Sequence, residues 1–197
     1  ALFFIVRRDP LSQLVDQQSI DDFRQNGVTV LRGVFADWVD MLRAGIDANM
    51  NDPDPNARIY KGENGDGRFF VDYCNWDRIA EYKNFIFNSN AACIGAALMD
   101  SQNVQLFHEH VLVKEASTDV PTPWHQDAPY YCVAGPKTVS FWVSLDTIER
   151  DMNSRNSTAK RKESCDKNKT RKKREELSVS AIKSIKKETV EIIVKFD

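Results

Sequence analysis

The chain has 197 residues, 42% hydrophobic and 28% charged, with a formal net charge of −2, enough for one globular domain with a sizeable core. The average conceals a break: residues 1–150 hold 13 basic against 21 acidic side chains, a net of −8, whereas residues 151–197 hold 14 against 8, a net of +6. No stretch approaches 18 continuous apolar residues, which excludes a membrane-spanning helix, and Cys74, Cys93, Cys132 and Cys165 have neither zinc-motif nor disulfide-framework spacing.

Those cysteines are expected to be reduced, and cytoplasmic localisation is the default expectation. The first eight residues, Ala-Leu-Phe-Phe-Ile-Val-Arg-Arg, are too short an apolar run for a span or an ordinary signal sequence and read as a cut end. All four Trp, all five Tyr and ten of eleven Phe lie before Asp151, and no Gly follows Gly135. Core-building sequence therefore fills 1–150, and 151–197 reads as a basic, charged tail.

In chain order, Ser19 is an N-cap candidate with an acid three residues on and Gly27 a C-cap, predicting a helix over residues 20–26. The β-branched run at 28–34 predicts a short strand. Phe35, Trp38, Val39, Met41, Leu42 and Ile46 recur at helical spacing behind Asp37, a second N-cap candidate. Residues 51–67 carry turn chemistry and predict a long loop, followed by a strand at 69–73. Apolar spacing over 77–99 predicts two packing helices broken near Asn88-Ser-Asn.

Residues 104–114 predict one strand in which His108, His110 and Lys114 share parity and hence a face. A second strand runs through the alternation of Val139, Phe141, Val143 and Leu145. Between them stands Pro-Trp-His-Gln-Asp-Ala-Pro-Tyr-Tyr from Pro123. In an extended segment His125 and Asp127 point to one side, with Cα atoms about 6.5–7 Å apart. A neutral imidazole and a carboxylate are two thirds of the facial triad that holds non-haem Fe(II) with positions left open.

The run Phe107-His-Glu-His-Val-Leu-Val-Lys-Glu, then Thr-Pro-Trp-His-Gln-Asp-Ala-Pro-Tyr, then Ser-Phe-Trp-Val-Ser-Leu-Asp, resembles the phytanoyl-CoA dioxygenase family. The resemblance reaches back loosely to about Ser19 and stops near Arg150. It implies a double-stranded β-helix, or jelly roll, flanked by N-terminal helices over 1–150. It also implies oxidative hydroxylation of a small organic or acyl substrate with Fe(II) and 2-oxoglutarate, ascorbate being a candidate auxiliary. His125 and Asp127 then become metal ligands and catalytic residues, and His110, Lys114 and Trp142 the candidate co-substrate contacts.

The family pattern also needs a distal His and an oxoglutarate-binding Arg. This chain has His only at 108, 110 and 125, so the distal ligand is missing from its usual place. The tail is therefore expected to be a foreign end that leaves the barrel incomplete, and little oxoglutarate turnover is expected. The alternative is that His108 or His110 from the neighbouring strand, or another carboxylate, completes the triad.

Two further readings stay open: a catalytically inactive family member, and a cupin-like metal protein using His108, His110 and His125. The basic clusters at Lys160 and Arg171 have no interleaved aromatics, so a solvated charge run is expected rather than a nucleic-acid surface. Residues 177–185 suit a helix, and 190–196 an edge strand that does not replace the missing barrel strands. The partners expected are a small-molecule substrate, no nucleic acid and no membrane.

Overall fold

A computed structural model describes residues 14–63, 67–122 and 137–146, together with the backbone of 3–5 and 189–196. Helix α1 (Gln17–Asn26) begins three residues earlier than the Ser19 cap predicts. Asp16 is the true N-cap: its Oδ1 accepts the Ser19 amide at 2.7 Å, so Ser19 lies within the first turn. Gly27 ends the helix at φ 76, with its amide on the Phe23 carbonyl at 2.8 Å.

The predicted strand at 28–34 does not form. Gly27 and Gly33 bracket it at positive φ, Val30 is 67% exposed, and the run finds no strand partner among the described residues. Leu31 and Val34 instead pack singly against the core. β-branched composition favours an extended backbone, but a strand also needs a neighbour to bond.

A single 3-10 turn (Ala36–Trp38) leads into α2 (Val39–Asn51), which buries Leu42, Ile46 and Asn49. Asp37 lies in that turn, and neither it nor any other side chain caps α2. Helices α3 (Ala80–Asn88) and α4 (Ala91–Met99) break at Ser89-Asn90, as the apolar spacing predicts. Phe85, fully buried on α3, takes the edges of Phe35 and Trp38 at centroid distances of 5.1 and 5.5 Å. Among the described residues no helix is long and apolar enough to cross a membrane.

The approach of α2 to α3 is set by Gly45. A Cβ there would lie 2.8 Å from both Glu81 Cβ and Tyr82 Cε1, and Tyr82 is fully buried. Gly45→Val is therefore expected to lower stability by about 1–3 kcal/mol, seen as a drop in urea midpoint with unchanged slope. An unchanged midpoint would show that the two helices separate freely.

Two sheets lie against this helical layer. Strand β1 (Phe3–Ile5) pairs antiparallel with β4 (Asn103–Gln105). The larger sheet contains β2 (Arg58–Lys61), β3 (Arg68–Tyr73), β5 (His110–Lys114), β6 (Val139–Ser144) and β7 (Thr189–Phe196), all antiparallel, in the order β2-β3-β5-β7-β6.

Three expectations are corrected here. The loop predicted for 51–67 contains β2, whose Ile59 and Tyr60 are exposed and paired to β3, so turn-forming neighbours masked a short edge strand. The segment predicted as one strand over 104–114 is two, β4 and β5, in different sheets. The predicted edge strand at 190–196 is internal: β7 pairs with β5 on one side and β6 on the other, supplying the neighbour that sequence reading left missing there.

Candidate functional site

Alternation fixes the two faces of the larger sheet. Val111 and Val113 of β5 and Val139, Phe141 and Val143 of β6 are buried in the core beneath the helices. His110, Leu112 and Lys114, and likewise Trp142 and Ser144, therefore occupy the opposite face. Register aligns the strands across that face, because Val111 and Val143 both lie opposite Ile192 of β7. Trp142 lies opposite position 193, which continues the ladder to the row of His110. Two strand spacings, about 10 Å, separate His110 from Trp142.

Strand β3 extends this wall. Tyr73, Val71 and Phe69 lie opposite His110, Leu112 and Lys114 in turn. The Tyr73 and His110 rings meet at 4.8 Å and 55°. The Lys114 ammonium lies 4.9 Å over the Phe69 ring and donates to the Val120 carbonyl at 3.2 Å. Trp142 Nε1 is buried and has no hydrogen-bond partner among the described residues.

His108 lies outside β5, in the crossing that precedes it. Burial passes from Val104 and Leu106 to Glu109, Val111 and Val113, so side-chain parity reverses in the crossing between the sheets. The His108 ring rests on Phe107 at 4.7 Å, and its Nδ1 lies 3.2 Å from the Glu109 carbonyl. Of the three residues to which sequence parity gives one face, His110 and Lys114 lie within β5. No group of three His, Cys, Asp or Glu able to hold a metal occurs among the described residues. His125 and Asp127 lie outside them, as do Cys132, Cys165, the two basic clusters and the helix expected at 177–185. Cys74 and Cys93 are free thiols.

Behind the wall lies a buried polar network that sequence reading missed. Asp72 Oδ2 accepts Asn49 Nδ2 at 2.8 Å and the Asp54 amide at 3.0 Å, and Tyr82 donates to Asn49 Oδ1 at 3.3 Å. Fully buried Glu109 accepts the Asn75 amide on Oε1, while its Oε2 takes no hydrogen bond among the described residues. The signal was present: an acid at the core parity of Val111 and Val113 has to be held by polar partners.

Burial pushes the Glu109 carboxyl up to about 7, against the backbone amides of Asn75, Glu109 itself and Trp76, and the charge of Asp72 adds to the rise. Tyr82 is raised as well, by burial and then by the Glu109 and Asp72 charges. From pH 4.5, its ordinary pKa, to about 7 the folded protein keeps a Glu109 proton that the unfolded chain has released, so this group's contribution falls as pH rises. The fall amounts to roughly 3 kcal/mol and is complete above about pH 7. Glu109→Gln is expected to gain on the wild type by that amount between about pH 5 and 7.5, measured by urea unfolding; a constant difference would contradict the raised pKa.

Solved structures share the architecture. The crystal structure of the non-heme alpha-ketoglutarate-dependent carbocyclase SnoK from nogalamycin biosynthesis aligns at a TM-score of 0.60 and 12% identity, covering 94% of this chain and 78% of that one. AviO1 from Streptomyces viridochromogenes Tue57 aligns at 0.57 and 16% identity, covering 93% and 87%. At these identities the likeness is one of fold. No curated protein matches the chain. The model of the phytanoyl-CoA dioxygenase (PhyH) family matches residues 23–154, well over half of the sequence, and the chain belongs to that family.

Proposed function

We propose that the chain is an Fe(II)- and 2-oxoglutarate-dependent dioxygenase hydroxylating a small organic or acyl substrate, with the five-stranded sheet as one wall of a jelly-roll barrel. The observation that carries this reading is the buried Trp142 Nε1, a donor without an acceptor among the described residues, on the face that holds His110 and Lys114. Leaving such a group unpaired costs about 1–3 kcal/mol, and an oxygen of a bound keto acid supplies the acceptor. Family membership and the alpha-ketoglutarate dependence of SnoK support the choice of co-substrate.

The donor set fits ferrous iron in two of three positions. His125 and Asp127 offer the imidazole and carboxylate of a facial triad, and no His follows His125 to offer the third. Bound iron would supply oxygen activation coupled to decarboxylation of 2-oxoglutarate to succinate. The chain's own residues do the rest. His125 and Asp127 hold the metal, and Trp142 and His110 orient the co-substrate from one row of the wall, about two strand spacings apart. Lys114 offers positive charge to a carboxylate without the paired geometry of an Arg. Phe69, Val71 and Leu112 make the floor apolar, which strengthens those polar contacts.

Succinate release from 2-oxoglutarate with added Fe(II) and ascorbate tests the reading. Turnover is expected to be slow in a chain whose imidazoles are His108, His110 and His125 alone, and to vanish in Asp127→Ala. Stoichiometric metal uptake that never responds to 2-oxoglutarate would overturn it in favour of a cupin-like site. Metal uptake well below one equivalent would mark an inactive family member.

A further inference from the structure

We propose that Glu109 is a positioning residue: its buried carboxylate holds the chain at the exit of β3 so that Tyr73 stays against His110. The functional part of this rests on the reading of His110 as a co-substrate contact. Glu109 lies in the crossing between the sheets, directly before β5. Its Oε1 accepts the Asn75 amide, and its carbonyl accepts the Cys74 amide at 3.3 Å. Both amides belong to the turn by which the chain leaves β3. That turn needs holding, because Cys74 sits at φ 64, where a residue with a Cβ is disfavoured by about 1–2 kcal/mol.

The Asn75 side chain is oriented by Arg78, whose Nε donates to its Oδ1 at 2.6 Å. This leaves Asn75 Nδ2 buried without a partner among the described residues, as is Glu109 Oε2. One donor and one acceptor thus remain on two side chains of the same junction, the polar setting that a buried water occupies. On the preceding residue, Asp72 Oδ1 accepts the Tyr73 amide at 2.9 Å. The backbone around Tyr73 is therefore gripped by two buried carboxylates, Asp72 and Glu109, while its ring meets His110 on the other face. Packing alone would leave that turn free to relax its left-handed residue; the carboxylate removes the option.

Aromatic proton resonances test this, recorded well above the ordinary imidazole pKa. The His110 ring protons are expected to be shifted by the Tyr73 ring, with Tyr73→Leu defining the size of the shift. Glu109→Ala is expected to remove most of it in folded protein. Glu109→Gln keeps an acceptor for the Asn75 amide and is expected to preserve it. Loss of stability with the His110 shift unchanged in folded Glu109→Ala would overturn the proposal.

Hydrogen exchange of the Asn75 amide in the wild type needs no variant. Protection equal to that of β3 and β5 amides supports the grip, and exchange at the rate of an exposed turn overturns it. Titration of 2-oxoglutarate into Mn(II)-loaded protein adds the functional arm. About tenfold weaker binding in Glu109→Ala, restored in Glu109→Gln, supports the positioning role, and unchanged binding overturns it. A wild type that binds no 2-oxoglutarate contradicts the co-substrate reading instead, and the His110 shift and the Asn75 exchange then decide Glu109.

Discussion

His125→Ala is expected to abolish Fe(II) binding, a loss of more than about 100-fold, whereas His108→Ala is expected to leave most of it. An outer partner of a metal ligand is worth 10–100-fold in affinity, and a ligand itself more. His125 and Asp127 are two residues apart in sequence, and losing His125 leaves that motif a single carboxylate, which holds a divalent cation poorly. His108 belongs to the crossing between the sheets, outside the strand that carries His110 and Lys114, with its ring tilted against Phe107. Anaerobic calorimetric titration with Fe(II) or Mn(II) checks both variants. Equal losses would place His108 in the metal shell and favour the cupin-like set.

Phe85→Ala is expected to cost about 3–5 kcal/mol, the largest stability effect of any single truncation named here. Phe85 is fully buried on α3, and its ring meets Phe35 and Trp38 at interplanar angles of 73° and 81°. Phe35 in turn meets Phe141 of β6 at 6.1 Å, so the cluster joins the helical layer to the strand that carries Trp142. Truncation leaves a cavity between layers that rigid elements on both sides cannot close. Urea unfolding at neutral pH measures the loss, and a value below about 1 kcal/mol would show that the interface collapses to fill it.

How much the sequence revealed depended on how local the cause was. Helices α3 and α4 and strand β6 were legible because side-chain period and burial coincide within each element. The N-terminal cap was misplaced by one competing acid, Asp16, whose carboxylate reaches the Ser19 amide. Strand identity depends on partners far away in sequence, and there the reading failed. Residues 28–34 have strand composition and no strand partner among the described residues, the exposed strand β2 has one, and β7 gains two.

The division of residues 104–114 was invisible for a related reason. Period-two spacing continues unbroken through His108, but the chain changes sheets and the buried parity reverses between Leu106 and Glu109. At the candidate site, the shared face of His110 and Lys114 was legible from spacing. The alignment of Trp142 with His110 was not, because it depends on β7 lying between their strands. Tyr73 joins the wall through its register with His110, and Glu109 supports it from the core side; neither role can be read from spacing within one strand.

The most direct test of the oxygenase reading is optical. Fe(II)-loaded protein is titrated anaerobically with 2-oxoglutarate and followed for the metal-to-ligand charge-transfer absorption of a chelated keto acid. The proposed site predicts a saturable band in the wild type, absent in Asp127→Ala and requiring more co-substrate in Trp142→Phe, which lacks the indole N–H. A wild-type protein that binds iron but develops no band, or a band unchanged in Asp127→Ala, would contradict it.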